Sequence, residues 1–268
     1  MRILITGSSG FVGEHLVKKL SSKYQIVKYD LKNGQDILNE KLLLSKLKDV
    51  DVVIHLAAFI SATESWYKPM DYMRNNALGT LSVINCAIQT GVKKIIFFSS
   101  AAVKVKPLTP YAVSKIAAEE LARLYSDKIN TIIVRPENIY GPGQKEAYGY
   151  VIHNFIKAVR EGKEIIIYGN GNQTRDFIYI DDIIETVEKL LEMKIDTGTI
   201  ISLGTGKETK INVLAKEVMK ILNKKTKIKF SKVRNEPRKS VADIKTLSKL
   251  GINAKQFIGL GEGIGNLV

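Results

Sequence analysis

Short, almost wholly apolar runs alternate with amphipathic segments along the first half of this chain. The runs are RILIT (2–6), QIVKYD (25–30), DVVIHLAA (51–58), KKIIFFSS (93–100) and NTIIVRP (130–136). Between them lie Phe11 to Ser22, Glu40 to Leu47, Tyr72 to Thr90 and Pro110 to Ser126, whose apolar positions recur at helical spacing. That rhythm predicts parallel strands joined by crossover helices. Strands this apolar are buried on both faces, which places ligands at their carboxyl ends. After NIYGPG (138–143) the rhythm loosens, and glycine-rich turns appear at YGNGNQTRD (168–176) and SLGTGKET (202–209). The expectation is an α/β chain: a doubly wound parallel sheet in residues 1–144, then a smaller α/β domain in 145–268, starting near Lys145. Segment 176–203, with the runs DFIYI (176–180) and GTIISLG (198–204), is expected to return to the first sheet.

ITGSSGFVG follows the first run directly and places Gly7, Gly10 and Gly13 ahead of a helical pattern beginning at Phe11 and Val12. Glycine lets backbone amides approach a pyrophosphate, and the helix N-terminus favours its negative charge. An acid, Asp30, ends the second run, 23 residues past Gly7. It would accept hydrogen bonds from adenosine ribose hydroxyls and repel a 2′-phosphate, which favours NAD over NADP, while Lys32 nearby weakens the preference. Strand, glycine turn, helix and acid together indicate a Rossmann-type dinucleotide site.

Tyr111 and Lys115 stand four apart in YAVSK. A free tyrosine is a poor base at neutral pH, but an ammonium one helical turn away favours the phenolate. Thr109 and Pro110 read as an N-cap and a first helical residue, so the pair would sit at the start of a rigid helix. Ser100 closes the fourth run and would hydrogen-bond the oxygen whose proton Tyr111 takes. A Tyr–Lys pair at this spacing is a common accident on its own; its place after the fourth strand gives it meaning.

With TGSSGFVG, Asp30, HLAA (55–58), KPMDYMRNNALGT (68–80), SS (99–100), YAVSK (111–115), RPENIYGPG (135–143), GNGNQTRDFIYIDD (169–182) and EPRKSVADIKTLSKLG (236–251), the chain resembles the extended short-chain dehydrogenase/reductase family. Within it, the likeness is to the nucleotide-sugar epimerases and dehydratases typified by UDP-glucose 4-epimerase, over nearly the whole length. The resemblance implies an NAD cofactor, with Asp36 and Ile37 flanking the adenine, Leu56, Ala57 and Ala58 lining its channel, and Lys68, Asn76 and Ser99 touching the cofactor or supporting its strand. It implies that Ser100, Asn138, Arg175 and Arg238 contact a nucleotide-diphosphate sugar. It also implies a homodimer built on the helices at 72–90 and 110–126.

Two departures from the family pattern narrow the reading. Ala101 and Ala102 stand where the 4,6-dehydratases carry an acid pair and the uronate decarboxylases a glutamate, and alanine can neither give nor take a proton. The loop VKVKPLTP between Ala102 and Tyr111 is short, with Lys104 and Lys106 where a cover over the sugar would begin. The expected activity is therefore an NAD-dependent 4-epimerase of a nucleotide-diphosphate sugar of the UDP-glucose/UDP-galactose type, acting through a transient 4-keto sugar. A nucleotide-sugar reductase or dehydrogenase, and a non-catalytic sensor of NAD or nucleotide sugar, are the alternatives.

Composition changes this little. A formal net charge of +14 raises nucleic acid as a partner, but the lysines lie along helical stretches without aromatic interleaving or a recognition motif, so none is expected. No apolar run is long enough to span a bilayer and no secretory leader is evident, which gives a cytoplasmic expectation without membrane association. The single cysteine, Cys86, reads as a buried core thiol, and no metal site is expected. His55 reads as a satisfied structural histidine; His15 and His153 suggest no chemistry.

Overall fold

The computed structural model describes residues 1–144, 150–232 and 236–268. Its chain forms two compact units: unit 1 is Met1–Val103, Leu108–Arg135 and Ile184–Ile201; unit 2 is Lys104–Pro107, Pro136–Ile183 and Ser202–Val268. Lys145, the expected start of the second domain, lies outside the described residues.

The chain begins β1 (Arg2–Thr6), α1 (Phe11–Leu20), β2 (Gln25–Tyr29), α2 (Glu40–Lys46), β3 (Val52–His55), α3 (Pro69–Tyr72), α4 (Gly79–Gln89), β4 (Lys94–Phe98), α5 (Pro110–Leu124) and β5 (Asn130–Pro136). It continues with β6 (Asn138–Tyr140), α6 (Val151–Arg160), β7 (Ile165–Tyr168), β8 (Thr174–Arg175), β9 (Phe177–Tyr179), α7 (Ile180–Glu192), β10 (Ile200–Leu203), β11 (Thr209–Lys210), α8 (Ile211–Ile221), β12 (Ile228–Ser231) and β13 (Lys239–Ser240). The main sheet has six strands in the order β10-β5-β4-β3-β1-β2, and β2–β1, β1–β3, β3–β4 and β4–β5 all pair in parallel. Because β1 lies between β2 and β3, strand succession reverses there and opens a crevice at the carboxyl ends of the strands. Leu4, Val53, Ile95 and Ile133 of the sheet bury together with Val83 of α4 and Ala118 of α5 in one core, which also takes Cys86. Among the described residues no helix is long and apolar enough to cross a membrane.

Two expectations need correction. The run at 176–180 does not join the main sheet: β9 pairs in parallel with β6, Asn138 opposite Phe177. The place beside β5 is taken by β10, so an apolar run of three residues, which carries no record of its partner, pairs elsewhere. The segment 72–90 is also not one regular helix. A π-helical turn, Met73–Leu78, separates α3 from α4, and α4 begins at Gly79, where a Cβ would stand 2.4 Å from Ile37 Cδ1. The π turn ends directly before that close approach and contains the buried Asn76; π turns recur at functional sites.

Unit 2 is assembled from small sheets: β6 with β9, β12 with β7, and β11-β8-β13. Lys104 and its neighbours in the short loop belong to this unit, where Lys104 Nζ donates to Ser202 Oγ at 2.7 Å.

Candidate active site

The glycine turn after β1 is built by close backbone approach. Gly7 has φ +70°, donates its amide to Tyr29 O at 2.9 Å and accepts from Gly10 N at 3.0 Å. A Cβ on Gly7 would lie 2.8 Å from Ala57 N, and one on Gly13 only 2.2 Å from Gly7 O. The first turn of α1 starts at Gly10 with no side chain capping it, so the amides of Phe11, Val12 and Gly13 head a helix whose positive end suits a pyrophosphate.

Asp30 is buried at the end of β2, accepting from Ser9 N at 2.8 Å through Oδ2 and from Lys32 N at 2.9 Å through Oδ1. Each oxygen retains a lone pair for a ribose hydroxyl. The Lys32 ammonium is drawn onto Ser9 O at 2.6 Å. Asp36 is half-buried and fixed by Leu38 N and the Tyr29 hydroxyl, whereas the Ile37 side chain is committed to the core. Leu56, Ala57 and Ala58 follow β3 at its carboxyl end, half-buried. The hydroxyls of Ser8 and Ser99 are buried without a hydrogen-bond partner, an arrangement that native chains retain where a ligand completes it. These orphaned groups, the uncapped helix and the acid fit a dinucleotide.

Asn76 is fully committed within the protein. Its amide nitrogen donates to Phe59 O and Ser114 Oγ, both at 2.9 Å, and its amide oxygen accepts from Phe59 N at 2.8 Å. It therefore supports the segment after β3 from beneath. Lys68 is exposed at the start of α3 in an ion pair with Glu64 at 2.8 Å.

The first turn of α5 is set by Thr109, whose hydroxyl accepts from Ala112 N at 3.2 Å, with Pro110 in the first helical position. This places Tyr111, 8% exposed, and Lys115 on one face of a rigid element. Ser100, at the end of β4, is half-buried, its Oγ accepting from Ala102 N at 3.1 Å. Lys115 is 1% exposed; its ammonium donates to Phe98 O at 2.7 Å and lies 4.5 Å from the centre of the Phe97 ring. Burial pushes it down to about 7, against the opposing pull of Glu119. Glu119 is itself held by a two-pronged bond from Arg135, at 2.8 and 2.5 Å, a pair that the sequence patterns did not flag. A buried ammonium alone is costly, and an anion placed beside Lys115 would offset that cost.

Unit 2 gathers the other expected contacts around β8. Arg175 donates to Thr174 O, Pro237 O and the Glu236 carboxylate at 2.9, 2.8 and 2.7 Å. These use three of its five N–H donors. Arg238 is exposed, and its carbonyl accepts from Thr174 N at 2.9 Å, while Asn138 Nδ2 donates to the carbonyl of the adjoining Asp176 at 2.8 Å. Asp176 is fully buried and accepts from Thr205 and Gly206. Glu236 escaped the sequence reading, although an acid two residues before Arg238 was a signal for it.

The model of the NAD dependent epimerase/dehydratase family matches residues 3–204. A protein of Methanocaldococcus jannaschii provisionally named UDP-glucose 4-epimerase is 33% identical, covering 99% of this chain and 97% of its own length. Among solved structures, the UDP-glucose 4-epimerase of Thermotoga maritima with UDP-glucose superposes with a TM-score of 0.90 at 28% identity, covering 99% of this chain and 97% of that one. The UDP-glucuronic acid 4-epimerase of Bacillus cereus, complexed with UDP-glucuronic acid and NAD, gives 0.88 at 31% identity, covering 98% and 96%.

Proposed function

Because the chain belongs to the NAD dependent epimerase/dehydratase family, we propose that it is a 4-epimerase of a nucleotide-diphosphate sugar, of the UDP-glucose/UDP-galactose type. The observation that carries this reading is the setting of Ser100. It is followed by Ala101 and Ala102, which offer no acid or base for eliminating water, while Tyr111 and Lys115 retain what reversible oxidation of a hydroxyl requires.

Bound NAD supplies reversible acceptance of a hydride from the sugar carbon. Gly7, Gly10, Gly13 and the α1 amides would hold its pyrophosphate, Asp30 its adenosine ribose, and Ser99 one of its polar groups. Tyr111 would take the proton of the sugar 4-hydroxyl while Ser100 hydrogen-bonds the same oxygen, and Lys115 would hold the phenolate form. Asn138, Arg175 and Arg238 would anchor the diphosphate; the two N–H donors left on Arg175 suit a phosphate oxygen pair. With the diphosphate held, the 4-keto sugar would turn over so that the hydride comes back to the opposite face of its C4 carbonyl, while Tyr111 would return the proton to the C4 oxygen.

A homodimer through α4, α5 and the π turn fits the exposed apolar Leu78, Val113 and Leu124, and sedimentation of a Leu124→Glu variant as monomer would support it. The central test is incubation of the purified protein with UDP-glucose, UDP-galactose, their N-acetyl counterparts and UDP-glucuronic acid, reading the sugars by NMR. Interconversion at C4 without net change in NADH absorbance is expected. Steady consumption of the cofactor, or no conversion of any, overturns the epimerase reading.

A further inference from the structure

A chain of buried hydrogen bonds runs beneath the nucleotide crevice of unit 1, and His55 is its centre. The ring lies at the end of β3, 1% exposed. Its Nδ1 meets Thr6 Oγ1 at 2.7 Å and its Nε2 meets Thr80 Oγ1 at 3.0 Å. The neighbours decide which nitrogen carries the proton. Thr80 gives its single hydroxyl proton to Asn76 O at 2.6 Å, so towards His55 it can only accept, and Nε2 must be the donor. Thr6 Oγ1 already accepts from Leu56 N and Ala57 N, both at 3.2 Å, and its own proton goes to Nδ1.

The result is one directed relay on each side of the ring. Ala57 N–H donates to the Thr6 hydroxyl, which donates to Nδ1; Nε2–H donates to the Thr80 hydroxyl, which donates to the Asn76 carbonyl. From Asn76 the side-chain amide continues to Ser114 Oγ at 2.9 Å, and Ser114 donates to Tyr111 O at 2.7 Å. Each donor and acceptor in the relay has a partner, and reversing one link would leave two groups facing each other with the same polarity. Phe97 stacks on the imidazole, ring centres 5.5 Å apart and planes 22° apart. Burial, reinforced by the Lys115 ammonium, pushes His55 down to about 3, so the ring stays neutral at any working pH.

We propose that His55 is a positioning residue for the cofactor crevice: fixed as its Nε2–H tautomer, it fastens the carboxyl ends of β1 and β3 to the π turn at Asn76 and so to the first turn of the catalytic helix. The Ala57 amide that it holds through Thr6 is the group that a Cβ on Gly7 would meet at 2.8 Å. Movement at His55 therefore reaches the glycine turn directly. Only a side chain with a donor at one end and an acceptor at the other can span the two threonines, and the imidazole does so without flexible torsions along its length.

The inference rests on the NAD site, and its first readout is independent of turnover. Long-range nitrogen–proton NMR of the full-length protein labelled at histidine should show His55 with a pyridine-like Nδ1 and a protonated Nε2, unchanged from pH 5 to pH 8, with or without NAD. An Nδ1–H tautomer, or a signal that titrates in that range, overturns the proposal. In NAD titrations, His55→Leu should weaken affinity about tenfold or more by leaving the buried Thr6 hydroxyl proton without an acceptor and taking away the donor to Thr80. His55→Gln, whose amide can still donate to Thr80, should recover affinity to within about threefold of the parent. If His55→Leu does not fold, Thr80→Val takes its place: weaker NAD binding with a mixed tautomer at His55 supports the relay. Unchanged NAD affinity in a folded His55→Leu or Thr80→Val protein, or a glutamine no better than leucine, overturns it.

Discussion

Replacing Lys115 with methionine should stabilise the NAD-free protein at neutral pH while ending turnover. Folded Lys115 releases its proton at about 7, against 10.5 for the free group, about 3.5 pH units lower. At about 1.36 kcal/mol per unit, the charged form carries a penalty approaching 5 kcal/mol, or about 4 kcal/mol at pH 7, where half the folded molecules have lost the proton. Methionine fills the same volume without that penalty. It forfeits the bond to Phe98 O and the contact with the Phe97 ring, about 1 kcal/mol each, which leaves a net gain of about 2 kcal/mol. For a chain of this size that is a rise of about 4–8 °C in unfolding temperature.

The pH dependence fixes the cause. Between about pH 7 and 10.5 the unfolded chain binds the proton that folded Lys115 has released, so wild-type stability climbs with pH across that window. The penalty is complete below pH 7, and the advantage of Lys115→Met is widest there and shrinks towards pH 10. Tyr29 and Cys86, pushed up to about 12 and about 11 by burial, act in the opposite direction at high pH but are common to both proteins and cancel in the difference. Thermal unfolding followed by circular dichroism from pH 6 to 9.5 measures the gap. A variant less stable than wild type at pH 6, or a gap independent of pH, refutes the reasoning.

Other substitutions probe the remaining parts of the site. Tyr111→Phe should lower turnover by about a hundredfold or more with NAD still bound, as read by single-turnover assay and cofactor content. Gly13→Ala would drive a methyl to 2.2 Å from Gly7 O; about tenfold weaker NAD binding and about 1–3 kcal/mol of lost stability are expected, by cofactor titration and urea unfolding. Asp30→Asn removes the charge that repels a 2′-phosphate and should shift the NADP-to-NAD affinity ratio about tenfold towards NADP, measured by parallel titrations. Arg175→Gln should raise the Kd for UDP about tenfold or more by calorimetry, because one charge-assisted fork is lost.

Much of unit 1 was legible from sequence because its signals are local. A strand buried on both faces must be apolar along its length, so the first five strands announce themselves, and Thr109 with Pro110 marks the start of α5 within a single turn. The glycine turn is equally local, since Gly13 passes so close to Gly7 O that a Cβ would stand 2.2 Å from it. Tertiary structure alone decided what depends on partners distant in the chain. A three-residue run such as Phe177–Tyr179 does not encode whether it lies beside β5 or β6, and that outcome depends on which strand occupies the sheet edge. The close approach of Gly79 to Ile37 joins positions 42 apart. The depth at which Lys115 is buried, the Glu236 carboxylate on Arg175 and the proton order through Thr6, His55, Thr80 and Asn76 follow from hydrogen bonds that form only when strand ends and helix turns have been packed together. Composition and spacing determine which groups are available for chemistry; the packed sheet determines their charge, their tautomer and the direction in which they donate.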